Sequence, residues 1–77
     1  MKIKFATFNK VNQFVKMASN FEGDVLIKSG RYVINGKSLM GVYSLDLTQN
    51  LEIEFVEKSI GEENKFIEKL KEVDILA

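Results

Sequence analysis

Histidine and cysteine are both absent from these 77 residues, and each absence closes off chemistry. Without cysteine there is no disulfide, no thiolate metal site and no thiol nucleophile. Without histidine the commonest general base, phosphoacceptor and metal ligand disappears. Excess charge is missing too. Eleven basic side chains balance eleven acidic ones, which leaves no electrostatic footprint for nucleic acid or anionic lipid. No apolar run approaches the roughly 18 residues of a membrane span. The opening MKIKFATF is charged at its second and fourth positions and has no apolar core of a signal peptide. These features predict a cytoplasmic protein with no membrane or nucleic-acid partner. No Pro-rich or Ser-rich segment marks a linker, and no internal repeat is found.

The same absences argue against an enzyme. No nucleophile–base pair and no metal-ligand set can be assembled, so no cofactor or metal is expected. Glu62 and Glu63 are adjacent at a predicted helix start, where they complement the helix dipole. Asp46 lies next to a turn and has no partner at a recognisable spacing.

What is present describes a small globular domain. Hydrophobic residues make up 45% and charged residues 29%. The length predicts a single domain over residues 1–77, burying about 60% of its unfolded surface. Such a chain has little room for an enclosed substrate cavity besides its core.

Lys2-Ile3-Lys4-Phe5 alternates as a half-buried strand does. Thr7 follows as a helix cap. Phe8, Val11, Phe14, Val15, Ala18 and Phe21, spaced by threes and fours, predict an amphipathic helix ending near Asn20. Asp24 to Lys28 and Arg31 to Asn35 are β-branched runs joined by Ser29-Gly30, which reads as a two-residue hairpin. Leu51, Ile53 and Phe55 alternate with Glu52 and Glu54 in a further strand. Ser59-Ile60-Gly61-Glu62 fits a capping box, with Gly61 as the rival cap. Phe66, Ile67, Leu70 and Val73 then form the apolar stripe of a last helix. Strands with one polar face predict an antiparallel sheet covered on one side only. Lys2 and Lys4 would share the open face with Glu52 and Glu54, paired across strands if those strands are neighbours, or unpaired in solvent.

Between the hairpin and the fourth strand lies INGKSLMGVYSLDL, too apolar for a surface loop and too short for a full core helix. Ser38 can cap a short helix over Leu39–Leu45. Val42 and Leu45, three apart, can face the sheet. That places Leu39, Met40 and Tyr43 on the outer side, unless Leu39 or Tyr43 folds back onto the core edge. Exposed Met and Tyr suit a surface that meets a protein partner.

The element order and the stretch from Ala18 to Leu45 resemble the phosphocarrier protein HPr of the bacterial sugar phosphotransferase system. The matching residues are Ala18-Ser19-x-Phe21, Asp24-Val25, Asn35 and Lys37-Ser38-Leu39-Met40-Gly41-Val42-x-Ser44-Leu45. The resemblance implies an α+β fold, an open-faced β-sandwich of a four-stranded antiparallel sheet with three helices on one face, in the order β-α-β-β-α-β-α. It also implies a phosphate-accepting histidine, followed by Arg and Pro, just before the first helix. Counting back from Ala18 without gaps, the histidine position falls on Thr7 and the Arg and Pro on Asn9 and Lys10. A phosphothreonine ester is far more inert than the P–N bond of phosphohistidine, so Thr7 is a poor substitute for a reversible carrier.

Two further expectations come from the resemblance. In Gram-positive relatives the Ser of the Lys-Ser-x-Met-Gly motif is phosphorylated by a dedicated kinase, which makes Ser38 the regulatory candidate with Lys37 beside it. The patch equivalent to Leu39, Met40 and Tyr43 docks protein partners. The resulting expectation is a non-catalytic HPr-like interaction or regulatory module. Its partners would be proteins, among them components or the kinase of the sugar phosphotransferase system. The alternative is a divergent phosphocarrier using Thr7.

Overall fold

A computed structural model describes all residues, 1–77. The elements run β1 Lys2–Ile3, α1 Phe8–Ala18, β2 Asp24–Ser29, β3 Tyr32–Asn35, α2 Leu39–Tyr43, β4 Leu51–Val56 and α3 Glu62–Val73. The four strands form one antiparallel sheet in the order β1-β4-β2-β3. Ile3, Val25, Ile27, Leu51, Ile53 and Phe55 point from the sheet into the core. Val11, Phe14 and Ala18 of α1, Val42 of α2, and Phe66 and Leu70 of α3 meet them there. Glu52, Glu54, Lys2 and Lys28 lie on the other face and are exposed. The sheet is therefore covered on one face and open on the other, as the alternation in β4 dictates.

Local details depart from the sequence reading in instructive ways. The first strand stops at Ile3, and on its outer side the Lys2 carbonyl accepts from the Ala77 amide at 3.0 Å and the Lys4 amide donates to the Ile75 carbonyl at 2.8 Å. The chain after α3 turns back at Asp74, bridges Ile3 through Leu76 and buries Ile75 beneath the sheet edge. Lys2 faces Glu52 across the β1–β4 ladder, but the ion pair of Glu54 is with Lys28 of β2 at 2.9 Å, not with Lys4. Both partners are about half exposed, so the pair contributes little to stability.

Helix α1 ends at Ala18, two residues before Asn20, where the Ser19 hydroxyl and amide both donate to the Val15 carbonyl. In the β2–β3 hairpin Ser29 pairs with Tyr32, so the two loop residues are Gly30-Arg31. Gly30 takes φ +58, the left-handed value that a first loop residue of a II′-type hairpin needs and a side chain would disfavour.

The capping box at α3 does not form. Gly61 occupies the cap position without a side chain to offer, and the Glu57 carboxylate accepts from the Glu63 amide at 3.1 Å. The Glu62 side chain reaches back past the start of its helix. Its carboxylate accepts from the amides of Glu22 at 2.7 Å, Gly23 at 3.1 Å and Lys58 at 3.2 Å. It thus clamps the α1–β2 connection to the start of α3. Desolvation raises the pKa of Glu62, but the amides of Lys58, Glu22, Gly23 and Ser59 outweigh it and hold the carboxyl below its usual range.

Candidate interaction site at helix α2

The corner between β3 and α2 is built by short-range hydrogen bonds. The Asn35 side-chain oxygen accepts from the Lys37 amide at 2.9 Å, and its carbonyl accepts from the Ser38 amide at 3.0 Å. Ser38 keeps an extended backbone and its hydroxyl accepts from the Gly41 amide at 3.2 Å. Its carbonyl accepts from the Val42 amide at 3.0 Å, closing the first turn. Ser38 is thus an N-cap, as the motif suggests. Gly41 lets the helix lie close on β3, since a Cβ there would come within 2.9 Å of an Ile34 methyl and 3.2 Å of the Ser38 hydroxyl. That close approach explains the glycine of the motif in physical terms.

Lys37 and the Ser38 hydroxyl have separate partners in the structure. The Lys37 ammonium donates to the Phe21 carbonyl just beyond the end of α1, tying the two helical segments together. The Lys37 cation satisfies that carbonyl in a part-buried contact that fixes its direction.

Helix α2 spans only Leu39–Tyr43 and turns Val42 fully into the core, with Leu45 packed at its margin. Met40 is 79% exposed and Leu39 is 38% exposed. Tyr43 is half-buried at the core edge, and its hydroxyl donates to the Asn12 side chain of α1 at 2.8 Å. Its ring meets Phe8 edge-on, with centroids 5.7 Å apart. Phe8, which the helical spacing assigns to the core stripe, is 70% exposed. It is the first residue of α1, and a helical side chain leans toward its N-terminus, so Phe8 overhangs the layer that Val11 covers. The exposed apolar surface thus runs from Leu39 and Met40 through Tyr43 to Phe8. Phe8 is the member that periodicity alone assigns to the wrong side.

Thr7 caps α1, its hydroxyl accepting from the Lys10 amide at 3.3 Å. It opens onto a shallow groove lined by Lys4, Phe5, Phe8, Leu47 and Thr48. The chain's single arginine, Arg31, lies in the β2–β3 turn. Asp46 does have a partner: its carboxylate accepts from the Thr48 hydroxyl at 2.6 Å and the Thr48 amide at 3.1 Å. Those bonds hold its carboxyl below the usual range and close the α2–β4 connection as a turn. Glu62 and Glu63 serve the clamp and the helix start described above. No helix of the chain is long and apolar enough to cross a membrane.

Comparison with known proteins adds three findings. No curated protein matches the sequence. Among solved structures, the fold matches Crh of Bacillus subtilis, described as a catabolite repression containing protein whose crystal structure revealed a swapped domain in a dimer. That match has a TM-score of 0.59 at 25% identity, covering 95% of this chain and 78% of Crh. The family described as the PTS HPr component phosphorylation site matches residues 9–73, which takes in α1 except Phe8, the Lys-Ser-Leu-Met-Gly corner and α3. The chain therefore belongs to the HPr family, the phosphocarrier-like proteins of the bacterial sugar phosphotransferase system.

Proposed function

We propose that this chain is a single-domain, cytoplasmic HPr-like interaction module that regulates a protein partner and does not carry phosphohistidine. The observation that carries this reading is the continuous apolar surface of Leu39, Met40, Tyr43 and Phe8, on a chain with no histidine to accept phosphate. Met is adaptable and aromatic residues are enriched at contact surfaces, so the patch suits a protein partner. Components or a kinase of the phosphotransferase system are the partners that family membership brings first. Crh, described in connection with catabolite repression, supports a regulatory rather than a transfer role.

Carrier activity is the reading to exclude experimentally. Incubation with phosphoenolpyruvate and the general phosphotransferase enzyme should leave no acid-labile phosphate on this protein. The Thr7 hydroxyl is engaged as a cap and has no arginine beside it in the sequence, where Asn9 stands. Stoichiometric labelling would establish a divergent carrier instead, and Thr7→Val would show whether that residue holds the phosphate.

Ser38 is the proposed switch. A phosphate there would extend from the cap beside the first amides of α2, without Lys37 as counter-ion. Anions at a helix start contribute about 0.3–1 kcal/mol, so the fold should tolerate Ser38→Asp with a melting temperature within a few degrees of wild type. Ser38→Ala should lose about 1 kcal/mol through the cap. Partner binding should respond more strongly, because a charge of about −2 next to Leu39 and Met40 must be desolvated or matched by a cation on docking. At least about a tenfold change in affinity is expected between wild type and kinase-treated protein, or about 1.4 kcal/mol. Equal affinities across wild type, Ser38→Ala, Ser38→Asp and kinase-treated protein would leave Ser38 as a cap only.

A further inference from the structure

Asn35-Gly36 is the one Asn-Gly pair in the chain. This dipeptide is chemically labile in general, because glycine places no side chain in the way of its own nitrogen. We propose that Asn35 is a latent deamidation site, held shut by the native β3–α2 corner and released when that corner opens. In the reaction the Gly36 backbone nitrogen loses its proton and attacks the Asn35 side-chain carbonyl carbon. A C–N bond forms, ammonia leaves, and a five-membered succinimide results. Water then opens the ring at either imide C–N bond, giving aspartate or isoaspartate and one new carboxylate.

Three features of the fold oppose the first step. The Gly36 N–H donates to the Val25 carbonyl at 2.7 Å, which holds the proton that must leave. Gly36 is buried against Val25, so closely that a Cβ on it would lie 2.6 Å from a Val25 methyl. There is no room for the residue to swing toward the carboxamide. Asn35 itself ends β3, and its side-chain oxygen accepts from the Lys37 amide at 2.9 Å. That bond restrains the carboxamide, so the side chain is not free to rotate onto the Gly36 nitrogen.

The same contacts define the damage. Isoaspartate adds one carbon to the main chain between the Asn35 Cα and the Gly36 nitrogen. The former Asn35 carbonyl becomes a carboxylate off the lengthened chain, so the Gly36 bond to Val25 and the Ser38 bond to that carbonyl cannot both keep their geometry. Ser38 then loses the anchor that positions it as cap. Time spent open is thereby recorded as a permanent change at the α2 corner.

The test incubates the full-length protein at mildly alkaline pH, in native buffer and in urea, and follows residue 35 by peptide mass spectrometry. In urea, aspartate and isoaspartate should accumulate at position 35. In native buffer the rate should be lower by at least about a hundredfold, since reaction waits on local opening. Val25→Ala, which loosens the seat of Gly36, should raise the native rate at least about tenfold and leave the rate in urea unchanged. Asn35→Gln should remove the product in both. In the parent protein, low concentrations of urea should accelerate deamidation and Gly36 amide exchange in parallel, a reading that holds even if Val25→Ala unfolds. Equal rates in native buffer and urea, no product in urea, or deamidation that does not follow Gly36 exchange would each overturn the proposal.

Discussion

Ile53→Ala is expected to cost about 2–5 kcal/mol of stability, while Glu54→Ala, its neighbour in β4, should cost less than about 1 kcal/mol. Ile53 is buried, lies opposite Ile27 on the central strand pair and belongs to the cluster beneath the helices. Truncation removes the transfer free energy of its methyl groups and leaves a cavity that β2 and β4 hold open by their ladder. Glu54 points to the other face, where its carboxylate meets the Lys28 ammonium at 2.9 Å with both side chains about half exposed. Water replaces that partner readily. For a small domain whose total stability is of order 5 kcal/mol, the first loss is a large fraction of the whole. A denaturant titration of both variants reads the difference as a shift in midpoint at nearly constant slope. Similar losses at both positions would mean that the face carrying Glu54 is also covered in solution.

The parts of the fold that read directly from the chain are those where a single periodic pattern meets a single layer. Leu51 to Val56 alternates without interruption, and the structure alternates buried and exposed residues in the same order. Val11, Phe14 and Ala18 follow the helical period and all are buried. The departures arise where a partner distant in sequence supplies the decisive contact. Glu62 has the composition of a capping box, but the amides of Glu22 and Gly23, 40 and 39 residues away, attract its carboxylate instead. Ile75 belongs to no periodic stretch, and becomes core only because the left-handed turn at Asp74 sends it back under Ile3. At the candidate site, the cap at Ser38 and the outward face of Met40 follow from local spacing. The direction of Lys37 and the exposure of Phe8 do not. One depends on where the Phe21 carbonyl lies, the other on where the layer beneath α1 ends.

Phe8 and Met40 provide the strongest test of the proposed docking surface. Met40→Glu should leave folding almost untouched, since a residue this exposed usually changes stability by about 0.5 kcal/mol or less. It should nevertheless weaken partner binding by at least about tenfold, because docking would bury an unpaired carboxylate in apolar surroundings. Phe8→Ala removes a ring that stands against Tyr43 and costs the fold about 0.5–1.5 kcal/mol through that edge contact. Its effect on binding should again reach about tenfold or more, as expected when an exposed aromatic anchor is removed from a docking patch. Ile60→Glu is the control. Ile60 is fully exposed in the β4–α3 connection, near Phe21 past the far end of α1 from Phe8, and equally apolar. If mere surface hydrophobicity drives capture of a partner from native cell extract, Ile60→Glu will weaken it as much as Met40→Glu does. If the patch on α1 and α2 is the docking site, Ile60→Glu binds like wild type while the other two fail. A partner retained by Met40→Glu and Phe8→Ala but lost by Ile60→Glu would move the interface to the opposite end of α1, and the regulatory reading of Ser38 would have to be abandoned with it.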